Sequence, residues 1–172
     1  SASMPRPIEH SSTVPASADQ VHAALTSEQY WKDRIEQIGG PGASLKSVTV
    51  GEGTIDVVMI QSVPEEELPS AVTAFKKGDL IIERTESWGP FDGTHADGMF
   101  GATVEGAPAR ITGTTTLDGV GDTTVIALAG TTEVKVPIFG GKIEAMISEQ
   151  VLSLIDNEQD FTGNWIAAQA NS

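Results

Sequence analysis

The sequence predicts an α+β domain in which a curved antiparallel sheet of about seven strands wraps around one long C-terminal helix, with two short helices between the first and second strands. Three observations carry this. A strand-like run over 123–136 breaks at Pro137-Ile138-Phe139-Gly140-Gly141 and gives way to a long amphipathic stretch ending near Ala168. Strand signals separated by short glycine-bearing connectors fill the middle of the chain. Two helix-start signals lie ahead of them, just after the first strand.

In order, Ile8 to Val14 reads as a strand stopped by Pro15. Ser17-Ala18-Asp19-Gln20 has the form of a capping box opening a short helix with Val21, Ala24 and Leu25 on its apolar side. Thr26-Ser27-Glu28-Gln29 repeats the signal and opens a second helix carrying Tyr30, Trp31, Ile35 and Ile38, which Gly39-Gly40-Pro41-Gly42 ends. Strands are expected over 44–50, 53–62, 79–88, 94–104, 109–117 and 123–136, joined by Gly51-Glu52-Gly53, Gly89 to Gly93, Gly106-Ala107-Pro108 and Asp118 to Asp122. The long connector from Val63 to Gly78 is acidic at Glu65-Glu66-Glu67 and is expected to hold a helical turn over Val72 to Phe75. In the final helix Ile143, Met146, Ile147, Val151, Leu154, Ile155, Phe161 and Trp165 recur mostly at steps of three or four, the period of one helix face. Ser1-Ala2-Ser3 ahead of Met4 reads as an expression scar and 169–172 as a tail, which leaves 7–168 as one domain.

Composition narrows the partners. Lys and Arg number 10 against 24 Asp and Glu, a net charge of −14, and the cations are scattered, so nucleic acid is not expected as a partner. No apolar run reaches the ~18 residues of a membrane span, so no membrane insertion is expected, and the start lacks a signal-peptide pattern. A cytoplasmic protein is the default expectation. The chain contains no cysteine, which excludes disulfides, thiolate nucleophiles and cysteine-ligated metals.

Several pieces of the chain carry a resemblance: Thr13 to Val21, the Tyr30-Trp31 pair, Leu68-Pro69-Ser70, Glu86-Ser87-Trp88-Gly89-Pro90, and Val136 to Glu144. With the element order, they make residues 7–168 similar to the START-like helix-grip (SRPBCC) superfamily, which includes the birch pollen allergen, plant hormone receptors, lipid-transfer domains and polyketide cyclases. More narrowly, the chain resembles an uncharacterised, largely actinobacterial branch. The resemblance implies a space between sheet and helix that is either packed core or ligand pocket. None of the matching motifs is catalytic.

Strand parity assigns the inward face. It collects Ile8, His10, Ser12 and Val14; Ile55, Val57, Met59 and Gln61; and Leu80, Ile82, Arg84, Glu86 and Trp88. It continues with Phe100, Ala102 and Val104, then Ile111, Thr115 and Leu117, then Ile126, Leu128, Thr132, Val134 and Val136, with Gly113 and Gly130 leaving space or letting strands bend. From the helix, Met146, Ile147, Gln150, Val151 and Leu154 are expected to face the sheet, with Met146 and Gln150 over the middle of any cavity. The expected ligand-cavity residues are therefore His10, Val57, Met59, Ile82, Arg84, Glu86, Trp88, Phe100, Thr115, Leu128, Met146, Gln150 and Leu154. Arg84 and Glu86 stand out, because an inward charge needs a partner: each other, His10 or a ligand, unless both reach water at a bulge or rim. His22 is expected to face solvent, His95 lies near a turn, and Trp31, Trp88 and Trp165 are expected in the core or cavity wall.

No cofactor or metal is expected. Asp92 to Thr103 fails as a calcium loop, because its third and fifth positions are Thr94 and Ala96 and its twelfth is Thr103 where a glutamate belongs. No His-x-x-x-His pair, Gly-Lys-Ser/Thr phosphate loop or Gly-x-Ser-x-Gly elbow occurs. Three function classes follow. The first is a noncatalytic carrier of a hydrophobic small molecule such as a lipid, isoprenoid or polyketide-like ring. The second is a cyclase/dehydratase- or hydrolase-like enzyme working through His10, Arg84 and Glu86, since some members of the resembled superfamily catalyse such steps. The third is a protein-interaction module with a filled core that docks a basic partner through Glu65-Glu66-Glu67 or the helix end.

Overall fold

The computed structural model describes residues 5–74, 76–136 and 140–171. The expected strand-to-helix break at Pro137, Ile138 and Phe139, and the Phe75 end of the connector turn, lie outside the described residues. Seven strands form one antiparallel sheet: β1 (Arg6–Val14), β2 (Ser44–Val50), β3 (Ile55–Val63), β4 (Leu80–Trp88), β5 (His95–Val104), β6 (Ala109–Val120) and β7 (Thr123–Val134). Their spatial order is β1-β7-β6-β5-β4-β3-β2, so β1 and β2 are the edges. Helices α1 (Ala18–Leu25) and α2 (Glu28–Ile38) sit between β1 and β2. A 3-10 turn (Glu65–Glu67) and the short α3 (Ser70–Thr73) occupy the acidic connector, and α4 (Gly140–Ala170) closes the fold.

Local chemistry explains the boundaries. Ser17 and Gln20 form the expected box: the Ser17 hydroxyl accepts the Gln20 N–H at 3.3 Å, and the Ser17 N–H donates to Gln20 Oε1 at 3.1 Å. At the second start the cap is Ser27, while Thr26 closes α1 by donating its hydroxyl to the His22 carbonyl at 2.7 Å. Asp118 to Val120 pair with β7 rather than forming a loop, and the hairpin turns only at Gly121, whose φ of 62° suits glycine.

Helix α1 buries His22, contrary to the expected solvent position: its Nε2 lies 2.9 Å from the Gly89 carbonyl and its ring stacks on Phe91. The turn after β4 folds onto α1 and supplies both partners.

The larger core cluster lies where α1 and α2 cover the sheet, and holds Tyr30, Trp31, Ile55, Val57, Met59 and Trp88. Trp31 donates its indole N–H to the Leu25 carbonyl at 2.7 Å and meets Tyr30 edge-on. A smaller cluster, Ile8, Ile111, Leu128 and Ile155, joins α4 to the β1 side of the sheet. Val57 and Met59, expected to line a cavity, are instead packed in the larger cluster at 1% exposure each, with Ile35 and Leu45 against it. Helix α2 and its aromatic pair fill the space over that stretch of β3. Among the described residues no helix is long and apolar enough to cross a membrane. Met59→Ala is expected to cost about 2–5 kcal/mol in urea unfolding, as for packed core, and a loss under about 1 kcal/mol would contradict this packing.

Candidate functional site: an internal cavity with an ionic inner end

Helix α4 packs on β1 and β7 and meets α1 and α2. A cavity of about 550 Å³ stands between it and the strand faces that it does not cover. The mouth is marked by Glu67 and Pro69 of the connector, Arg110 of β6 and Gln150 of α4, all exposed residues of the lining. Most of the wall is apolar, with Ile82, Phe100, Ile111, Leu128 and Val151 prominent. Phe100 owes its place to two glycines: Gly113 is its partner on β6, and Gly130 is the partner of Gly113 on β7. A Cβ would come within 2.4 Å of the Phe100 ring at Gly113 and 2.9 Å at Gly130. The missing side chains thus make room for one aromatic ring lying across the sheet.

The inner end is ionic. Arg84 donates from Nη1 and Nη2 to the two carboxylate oxygens of Glu158 at 2.6 and 3.1 Å, and from Nη1 also to Gln61 Oε1 at 3.0 Å. Arg34 approaches Glu158 from α2, with Nη2 2.6 Å from Oε1, yet that nitrogen has no well-aligned hydrogen bond. Its guanidinium also lies 4.5 Å over the Trp31 ring. Burial alone would raise the Glu158 carboxyl, but Arg34 and Arg84 outweigh it and hold the group at about 2. Burial would likewise lower Arg34, and Glu158 overcomes that, leaving the guanidinium firmly charged. One turn along α4, Thr162 bonds the Tyr30 hydroxyl at 2.6 Å, and burial raises the Tyr30 phenol.

Glu86 is less fully engaged. Its Oε2 accepts the Trp88 indole N–H at 2.8 Å, and its Oε1 is 3.9 Å from Arg34 Nη2.

Of the expected site residues, His10, Ile82, Arg84, Glu86, Trp88, Phe100, Thr115, Leu128, Met146, Gln150 and Leu154 line this cavity, and Val57 and Met59 do not. Arg84 and Glu86 do point inward, but they pair with Glu158 and Trp88 rather than with each other. His10 contacts neither: its Nε2 lies 2.6 Å from Asp156 of α4. His95 sits apart, between Asp118 and Asp97, whose hydrogen bonds push it up to about 9.

The helix phase differs from expectation by about a quarter turn at 100° per residue. The buried stripe runs through Glu144, Ser148, Ile155, Glu158, Thr162 and Ile166. Met146, Gln150 and Leu154 therefore flank the cavity, with Gln150 exposed at its rim rather than over its middle. Apolar spacing alone misses this, because the stripe contains polar residues with strand partners. The Glu144 carboxylate accepts the Val134 N–H at 2.8 Å, and Ser148 meets Thr132 at 3.3 Å. Arg34 and Glu158 are likewise invisible to apolar counting. The available signal is that Glu144, Ser148, Glu158 and Thr162 share one helix face with Ile155 and Ile166.

The chain belongs to the family described as "Protein of unknown function (DUF2505)", whose model matches residues 9–166. It also shares 35% identity over 170 residues with uncharacterized protein Rv0481c of Mycobacterium tuberculosis, covering 95% of this chain and 98% of that one. That mycobacterial relative fits the actinobacterial branch that the sequence resembles. Among solved structures, TTHA0849 from Thermus thermophilus superposes with a TM-score of 0.60 at 13% identity, over 95% of this chain and 98% of that one. Norcoclaurine synthase from Thalictrum flavum superposes at 0.58 and 17%, over 96% and 88%. At such identities these two likenesses show the shared fold.

Glu158→Gln leaves the buried Arg34 and the half-buried Arg84 guanidiniums short of a counter-ion, with an expected loss of about 3–5 kcal/mol at neutral pH. Because the folded carboxyl is depressed from 4.5 to about 2, its contribution is complete above 4.5 and lost as pH falls towards 2. The stability gap between wild type and variant, from urea unfolding across acid pH, should therefore narrow below about 4.5 and close near 2. A gap independent of pH would contradict the assignment.

Proposed function

We propose that the protein binds and carries a hydrophobic small molecule, a lipid, isoprenoid or polyketide-like ring, in the cavity under α4, without transforming it. The single observation that supports this most is about 550 Å³ of space with a mainly apolar wall, within the size range of small-molecule pockets. Burying ~300 Å² of ligand apolar surface at ~25 cal/mol/Å² yields about 7–8 kcal/mol before association costs, compatible with affinities near micromolar when polar contacts offset part of those costs. A filled interior, on which the interaction-module reading rests, does not match this cavity. The acid/base reading through His10, Arg84 and Glu86 draws little support from their geometry, since the three engage Asp156, Glu158 and Trp88 respectively.

Native mass spectrometry of protein purified from its own host should show an added mass that organic extraction removes. The stripped protein should gain thermal stability with neutral hydrophobic compounds. Ala102→Trp, which places an indole in the cavity from β5, should abolish that gain while leaving the circular dichroism spectrum unchanged. Absence of any bound mass together with no thermal shift across such compounds would overturn the proposal.

A further inference from the structure

The mainly apolar wall of the cavity contains one carboxylate oxygen that the protein leaves open. We infer that the ligand carries an uncharged hydrogen-bond donor, a hydroxyl or an N–H, received by Oε1 of Glu86; this rests on the carrier reading above.

The place of Glu86 in the sheet makes it reachable. It stands on the inward face of β4 opposite Phe100 of β5, and the same row continues through Gly113 of β6 and Gly130 of β7. The Phe100 ring leans over those two glycines, so the side chain opposite Glu86 is directed away from the carboxylate. Glu86 lines the cavity and keeps 14% of its side chain exposed.

Its hydrogen bonding is half complete. Oε2 accepts the Trp88 indole N–H at 2.8 Å, whereas Oε1 accepts nothing among the described residues and is not sealed. The nearest cation does not fill the gap. Arg34 Nη2 is 3.9 Å from Oε1, is itself sealed, and lies against Glu158 at 2.6 Å. Arg84 directs both terminal nitrogens to Glu158 as well. Oε1 is therefore a charged acceptor with room for a donor, and a bond to an ionised acceptor is about twice as strong as one between neutral groups.

The surrounding charges decide what kind of donor fits. Arg34 and Arg84 stand with Glu86 and Glu158, two cations with two anions, all lining the cavity. An ammonium adds an uncompensated positive charge beside two guanidiniums, and a carboxylate is repelled by Glu86 itself. A ketone or ether has no proton to offer. A hydroxyl or amide N–H supplies the proton without the charge. The apolar body of the ligand then covers Phe100 and runs past Ile82 and Leu128 towards the mouth.

Equilibrium dialysis at neutral pH with naphthalene, 2-methoxynaphthalene, 2-naphthol and 2-naphthylmethylamine tests this with one ring system and four head groups. The expected result is 2-naphthol tighter than 2-methoxynaphthalene by about tenfold, with the amine weaker than 2-naphthol. Glu86→Leu should remove the preference for 2-naphthol over its methyl ether. In the unaltered protein the Trp88 indole N–H, which shares the Glu86 carboxylate, should shift in nitrogen–proton correlation spectra with 2-naphthol and much less with the ether. Equal affinity for 2-naphthol and its ether, a preference that survives Glu86→Leu, tighter binding of the amine, or equal Trp88 shifts with both compounds would each overturn the inference and leave the carrier reading in place. If none of the four compounds binds, the carrier reading fails and the inference falls with it.

Discussion

Glu158 stands on the inner face of α4 with Arg34 of α2 and Arg84 of β4 both 2.6 Å from its carboxylate oxygens. Apolar contacts alone would let a long helix settle onto the sheet until the space beneath it closed. A buried carboxylate cannot follow such a movement without losing counter-ions that it cannot replace from solvent. The helix is therefore held from two sides, by Ile155 within the smaller core cluster and by Glu158 on the side of α2 and β4. The cavity is the volume that these two attachments keep open.

The rest of the inner surface is consistent with that division of labour. Glu144 ties the first turns of α4 to the end of β7, and Thr162 ties its later turns to Tyr30, so that polar contacts fix the helix along its length. Between them the wall is supplied by the sheet, where Phe100 lies across the paired glycines of β6 and β7. The larger core cluster is displaced to the end covered by α1 and α2, which takes Val57 and Met59 out of the cavity. A hollow half and a packed half thus share one sheet, and the ionic group sits at the boundary between them.

Much of the architecture is legible in the residues. Alternation along each strand, glycine at the turns and Ser17 with Gln20 before α1 are local signals, and they place elements to within a few residues. The inward face of the sheet is legible too, because strand parity leaves only two choices. Helix α4 is harder. Its stripe of Glu144, Ser148, Glu158 and Thr162 looks like a solvent face until the partners on β4, β7 and α2 are known, and those partners are distant in sequence. Arg34 escapes notice for the same reason, and His22 reads as a solvent residue because nothing local reveals the Gly89 to Phe91 turn folding onto it. Long-range pairing of polar groups is what single-sequence periodicity does not encode.

If buried charge keeps α4 off the sheet, an apolar void persists beneath it in solution. Methyl resonances recorded with and without xenon saturation test this most directly, since xenon enters dry apolar cavities and perturbs the methyl groups that line them. Selective shifts are expected at Ile82, Ile111, Leu128 and Val151, which line the cavity, with little change at Val57 and Met59. Uniformly small shifts, with the lining methyls no different from those of the packed cluster, would contradict a persistent void.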